Sequence, residues 1–230
     1  MLLSLISCSD EKESQIEYDY SKITTHHYES PGLSIPIAFE KICKSSSCLI
    51  EFTVSGDYRT EQRDLSPSVT SKLIGADFLY DFAVVPVSID KIIFQKEGVD
   101  VSQFDELWLL GAMNGYQESF VKGGRFIAFA TVLDKSDPEF KDVPMDLSIS
   151  KEVFFVDENE KLVPFFDIDP FMFFKDVKMD DFINAVTDIR NDKENDLAES
   201  IKQKEAELYS ENFEDMYSYY TEAEYYKEAE

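Results

Sequence analysis

Cys48-Leu49-Ile50-Glu51-Phe52-Thr53-Val54-Ser55 is the stretch on which the fold turns. Cys48, Ile50, Phe52 and Val54 alternate with Leu49, Glu51, Thr53 and Ser55, and a period of two sends successive side chains to opposite faces of a strand. The alternation predicts a strand with one buried face, bent or bulged at Gly56-Asp57. Downstream, residues 78–95 form the longest β-type run, in which Val85, Val87 and Ile89 alternate and Ile92-Ile93-Phe94 closes the pattern. Pro86 inside it marks an edge position or a bulge, because proline has no N–H to give to a ladder. Residues 104–112 predict a third strand. Residues 119–133 predict a fourth, with Gly123-Gly124 as the turn before Phe126. Residues 151–156 and 161–166 predict a hairpin around Asp157-Glu158-Asn159-Glu160. Residues 61–77 are polar, hold Pro67 and Gly75, and read as a loop. Regular strand spacing with turn signals predicts a barrel or sandwich in place of βαβ units. Val85, Val87, Ile89, Trp108, Phe126, Phe129 and Phe155 are the side chains expected inside it.

Helical periodicity flanks this block. Ile35, Ala38, Phe39 and Ile42 share one helical face over residues 35–46, and Pro36 suits a first turn. Val177, Phe182, Ile183, Val186 and Ile189 are spaced for a second helix, with Asp176 and Asp180 as first-turn anions. Between hairpin and helix, Phe165-Phe166-Asp167-Ile168-Asp169-Pro170-Phe171-Met172-Phe173-Phe174 reads as a lid or hinge, with an interaction patch as the functional alternative. From Arg190 to Glu230 there are 13 acidic and 5 basic residues and six of the 12 tyrosines. Leu197, Ile201 and Leu208 give only a thin stripe there, adequate for a helix and poor for a core. The segment from Tyr209 reads as a solvated acidic tail; the other reading is a segment that meets a cationic partner through Tyr faces and carboxylates.

Two resemblances add to this. The order Val87-Ser88-Ile89-Asp90-Lys91-Ile92-Ile93, then Leu107-Trp108-Leu109-Leu110, then Gly123-Gly124-Arg125-Phe126-Ile127-Ala128-Phe129, then Val153-Phe154-Phe155-Val156 resembles a group of secreted bacterial domains. That group has a valine-rich V-x-V-x-x-V-L strand, a later G-x-x-Y-L-x-F-L strand and a final G-V-F-x-V strand. The likeness spans about residues 47–166, departs from the pattern at Pro86 and in lacking a Gly after the long strand, and implies a small OB-like or netrin-like barrel with no catalytic residues. Leu5-Ile6-Ser7-Cys8 resembles the lipobox of bacterial lipoproteins, in which the Cys becomes the lipidated first residue of the mature chain. The polar stretch Ser9-Asp10-Glu11-Lys12-Glu13-Ser14 is similar to the tether that follows such cysteines. Seven residues precede Cys8 with no Lys or Arg among them, whereas a signal peptide carries a basic n-region and a longer apolar stretch. The expectation is a signal truncated at its start.

Composition narrows the function. The 230 residues carry 47 Asp+Glu against 22 Lys+Arg, a net charge of −25, with 43% hydrophobic and 14% aromatic residues. The apolar share excludes disorder over the whole length. The charge argues against nucleic acid as partner and against docking on anionic lipid by electrostatics alone. No apolar run reaches the roughly 18 residues of a spanning helix. Cys43 and Cys48, with four residues between them in an exported chain, allow a disulfide or two unpaired thiols. A metal site joining them to His26 and His27 is disfavoured by the spacing. The two histidines both fall in the polar N-terminal segment, which argues against a His-based catalytic or metal site in the core. Phosphate-loop motifs are lacking. Asp167 and Asp169, flanking Ile168, are the carboxylates best surrounded for a raised pKa, and Asp157-Glu158-Asn159-Glu160 lacks the spacing of a calcium loop.

The expectation is a mainly β protein: a small five- to six-stranded OB-like barrel with a short N-terminal helix and a C-terminal helical extension. Its divisions are a truncated lipoprotein signal over 1–8, a flexible tether over 9–34, a barrel domain over 35–176, a helix over 177–208 and an acidic Tyr-rich tail over 209–230. The functional expectation is a bacterial lipoprotein held on the extracytoplasmic membrane face by acylation, palmitate included, of Cys8. It would act as a non-enzymatic module for a protein or glycan ligand, without cofactor or metal. The alternatives are a lipoprotein enzyme using carboxylates such as Asp167 and Asp169, or a cytosolic acidic interaction protein.

Overall fold

The long strand predicted around Pro86 becomes the spine of the fold. In a computed structural model, residues 18–28, 38–64, 79–109, 115–132 and 147–210 are described. The lipobox with Cys8, the rest of the expected tether, most of the 61–77 loop and the tail from 211 lie outside them.

Among the described residues there are seven strands: β1 (Cys48–Val54), β2 (Arg59–Asp64), β3 (Leu79–Gln95), β4 (Glu106–Leu109), β5 (Arg125–Val132), β6 (Leu147–Val156) and β7 (Leu162–Pro164). β1 pairs with β5, β5 with β6, β6 with β4, β4 with β3, and β3 returns to β1. This circuit closes a five-stranded OB-like barrel, with β2 added to β3 and β7 to β6. All of its pairings are antiparallel except β4 with β6, where Trp108 faces Ser148 and Leu109 faces Ile149. Closure removes the exposed edges that an open sheet would leave.

Proline explains how β3 serves three neighbours. Its first part pairs with β2 and β4, and the pairing with β1 begins at Val87. Pro86 sits at the exchange, where its missing N–H disturbs the ladder least. The β1–β3 register shifts twice, between Leu49 and Ile50 and between Glu51 and Phe52. Such bulges raise local twist and help a sheet to coil into a barrel.

The barrel interior holds Cys48, Ile50, Phe52 and Val54 from β1 with Val85, Val87, Phe126 and Phe155. One end is filled by rings: Phe126 lies 4.8 Å from both Phe120 and Phe155, and Phe165 lies 5.1 Å from Phe155. A second cluster covers the outside of β1, β5 and β6 with three helices: α1 (Phe39–Ser45), α2 (Met179–Arg190) and α3 (Asp196–Ser210). Phe39, Phe154, Phe174 and Phe182 interlock there, with Phe39 to Phe174 at 4.5 Å and Phe154 to Phe182 at 5.2 Å.

Several expectations change. β1 is buried on both faces, because Leu49 and Glu51 lie under the helical layer and beside Arg125. Trp108 and Phe129 are buried outside the barrel, on the opposite face from Leu107, Leu109, Ala128 and Ala130. Ile89 is only partly buried against the interior. The polar stretch Arg59–Asp64 is a strand and no loop, tied to β4 by Arg59 reaching Glu106 at 2.7 Å. The expected helix over 177–208 is two helices, broken where Asp192 takes a positive φ of 53°. The apolar stretch before it forms a short turn over Phe171–Phe174 that drops Phe171 and Phe174 into the second cluster.

Candidate functional site

The N-terminal segment, expected to be a tether with little core material, is laid along the rim of the barrel over residues 18–28. The His26 N–H donates to the Phe165 carbonyl at 2.8 Å, and the Asp167 N–H donates back to the His26 carbonyl at 3.0 Å. This parallel bridge to Phe166 fixes two imidazoles in different surroundings. His26 turns toward the aromatic end of the barrel, with ring centroids 4.8 Å from Phe165 and 4.9 Å from Tyr116. Its Nε2 is 2.9 Å from the Ser119 hydroxyl, on the short turn Gln117–Ser119. Burial pushes its pKa below the ordinary imidazole value, so it is neutral at pH 7.

His27 points the other way. Its Nδ1 is 2.7 Å from Asp167 Oδ2, while Asp167 Oδ1 accepts the Tyr28 N–H at 2.8 Å. What little desolvation Asp167 suffers works to raise its pKa, but the His27 and Tyr28 hydrogen bonds outweigh it and hold the carboxyl below the usual range. Asp169 moves in the opposite direction, upward, because burial disfavours its charge. Each Asp167 oxygen is thus engaged in fastening the N-terminal segment. The chemistry available here is a neutral imidazole beside a serine hydroxyl. The Ser119–His26 and Asp167–His27 pairs span sequence separations of 93 and 140 residues, and no local motif announces them.

The cysteines are placed apart. Cys43 lies in the helix-covered cluster and Cys48 inside the barrel, and both are free thiols. Of the two readings their spacing left open, the structure holds the unbridged one. Cys48 Sγ donates to the Ala130 carbonyl at 3.5 Å, and burial pushes its pKa up to about 12. Burial likewise raises the Cys43 thiol. No group of three or more metal-ligating residues occurs among the described residues. No helix among the described residues is long and apolar enough to cross a membrane.

A second polar group lies on the outer face of β1. Arg125 bridges Glu51 and Glu160, each at 2.6 Å. Glu51 is 7% exposed, so Arg125 supplies the countercharge that such a carboxylate requires. Both cation and anions are held by strands β1 and β5 and by the hairpin turn, an arrangement that ties these elements together.

No family model, curated protein or solved structure matches the chain.

Proposed function

We propose that this chain is a lipid-anchored bacterial binding module of the extracytoplasmic membrane face, acylated on Cys8 and without enzymatic activity. The observation that carries the reading is Leu5-Ile6-Ser7-Cys8 followed at once by a polar, acidic stretch. Two features of the fold support it. The barrel interior is filled with phenylalanine rings, so ligand contact falls to its outer surfaces. The segment nearest Cys8 is fastened to the barrel by the His26 and Asp167 hydrogen bonds, which gives an anchor a firm point of attachment. Nine residues, Ser9 to Glu17, separate Cys8 from Tyr18, and a fully extended chain of that length reaches about 30 Å. The barrel would therefore ride close to the membrane and meet a protein or glycan partner there.

The test is expression from the natural gene context, with fractionation and mass measurement of the wild type and of Cys8→Ser. The expected result is a membrane-associated, acyl-bearing wild type that incorporates labelled palmitate, and a released, unmodified variant. A variant that stays in the membrane fraction with the mass of an unmodified wild type defeats the proposal.

A further inference from the structure

We infer that a cleft between α1, β5 and β6 binds a small neutral polyol, a single sugar ring or a compound of similar size. The inference rests on the reading of the domain as a binding module and gives that module a ligand class and an address.

The cleft has a volume of about 270 Å³, just below the roughly 300–1,000 Å³ of pockets that hold drug-sized ligands. It opens where the β5–β6 ladder is interrupted. Ala128 faces Val153 and Ala130 faces Ile149, so Ser150, Lys151 and Glu152 on β6 stand against Phe129 alone. An irregularity of this kind re-aims side chains and ends local pairing, and bulges of this sort occur beside binding sites. Here Ser150 and Glu152 line the cleft, opposite Ser45 and Ser46 at the end of α1.

The lining selects the chemistry. Ser46 Oγ donates to the Ile42 carbonyl at 2.8 Å, and Ser148 Oγ donates to the Thr131 carbonyl at 3.2 Å. The Ser46 hydroxyl has committed its proton to the backbone and keeps lone pairs to offer, while Ser148, 1% exposed, closes the floor of the cleft. Glu152 adds a carboxyl whose hydrogen bond is to its own backbone, and burial raises its pKa. The cleft is thus rich in acceptors, with no Lys or Arg among its described lining residues and the nearby Lys96 amine engaged by the Ser45 carbonyl at 2.6 Å, which disfavours a phosphate or carboxylate and calls for a ligand that donates. Ligand hydroxyls meet this need and can also accept from Ser45 and Ser150. An ammonium ion meets it less well, because Glu152 is the one ionisable lining group and burial works against its charged form. Phe129 and Ile42, both buried, form the cleft floor and leave a small apolar area for the C–H edge of a ligand.

The full chain, isotopically labelled, is titrated separately with glucose, galactose, N-acetylglucosamine and methylammonium chloride into the tens of millimolar, with backbone amide shifts recorded. The proposal expects saturable shifts with at least one sugar, centred on Thr131, Ser150, Lys151 and Glu152. Glu152→Gln, which replaces one carboxyl oxygen by an amide N–H donor, is expected to weaken that binding by about tenfold, the ratio of one hydrogen bond lost. Ser150→Ala is expected to weaken it less; if Glu152→Gln does not fold, the wild-type shift map and Ser150→Ala decide. Saturable shifts with methylammonium alone, shifts centred elsewhere, or no saturable shift with any sugar overturns the inference. The titration does not involve Cys8, so its failure leaves the lipid anchor standing, and failure of the anchor leaves the cleft standing.

Discussion

Ile201→Ala tests whether the last helix belongs to the fold. Ile201 is 1% exposed and lies in the cluster with Phe39, Phe174 and Phe182. Removing its outer carbons leaves a hole under α3, and such changes cost about 2–5 kcal/mol depending on how far the site can collapse. α3 is the outermost layer and Leu197 beside it is half-buried, so relaxation is easier here than inside the barrel and about 2–3 kcal/mol is expected. One turn further on, Glu205 Oε1 accepts the Phe39 N–H at 2.8 Å, and so caps the first turn of α1 across 166 positions of sequence. Burial raises the Glu205 pKa, which means the charged form is held at some expense. Glu205→Ala orphans the Phe39 N–H and is expected to lose about 1 kcal/mol. Glu205→Gln keeps the acceptor without the charge and should lose less. Urea unfolding is followed by far-UV circular dichroism and by fluorescence of Trp108, the single tryptophan, which sits on β4 outside the helix-covered cluster. With a slope of roughly 2 kcal/mol per molar, Ile201→Ala should lower the midpoint by about 1–1.5 M. Both signals should shift together, because α3 shares its cluster with three strands of the barrel. A change below ~0.5 kcal/mol, or a helix signal that melts while Trp108 stays native, would refute the docking of α3.

Arg125→Ala leaves Glu51 buried without its countercharge and should destabilise the barrel by about 2–3 kcal/mol in urea unfolding. Arg125→Ala combined with Glu51→Gln should recover part of that loss, because the orphaned charge is gone; a double variant no better than the single one contradicts the pairing. Burial holds His26 below the ordinary imidazole pKa of about 6.5, so the unfolded chain binds the proton more readily. Its contribution is therefore fully present above that value and declines as pH falls through it. The protection factors of the His26 and Asp167 amides, taken against the intrinsic exchange rate at each pH, should fall below about pH 6 in the wild type and lose that dependence in His26→Gln. Cys43 and Cys48, with thiols raised by burial, should resist iodoacetamide at pH 8 in the folded protein and react fully in denaturant, as read by mass; rapid labelling of either in the native state would contradict its burial.

What the sequence disclosed follows from what a period of two can detect. It finds strands with one dry face and one wet face, as in the second half of β3; β5 and the second half of β6, buried on both faces, were legible instead as short continuous apolar runs between turn signals. It is blind to a strand covered on both sides. In β1 the alternation Cys48, Ile50, Phe52, Val54 marked the inner face correctly, but Leu49 and Glu51 gave no hint that helices would cover them. The same blindness misplaced Trp108 and Phe129, whose size suggested the interior while their register puts them outside. It is equally blind to a polar edge: Arg59-Thr60-Glu61-Gln62-Arg63-Asp64 has no apolar face, and becomes a strand because β3 runs on beyond its pairing with β1 at Val87 and offers the freed edge as a ladder. The rim site was hidden for a further reason. Its two pairs, Ser119 with His26 and Asp167 with His27, depend on one backbone bridge between segments 140 residues apart, and nothing local encodes that bridge. Closure itself depends on two parallel rungs, Trp108 to Ser148 and Leu109 to Ile149. On β6, the next residues after those rungs are Ser150, Lys151 and Glu152, which the β5 ladder leaves standing against Phe129 alone. Closing the barrel and opening the cleft are therefore adjacent consequences of one irregular strand, and a change that regularised β6 would be expected to close the cleft before it opened the barrel.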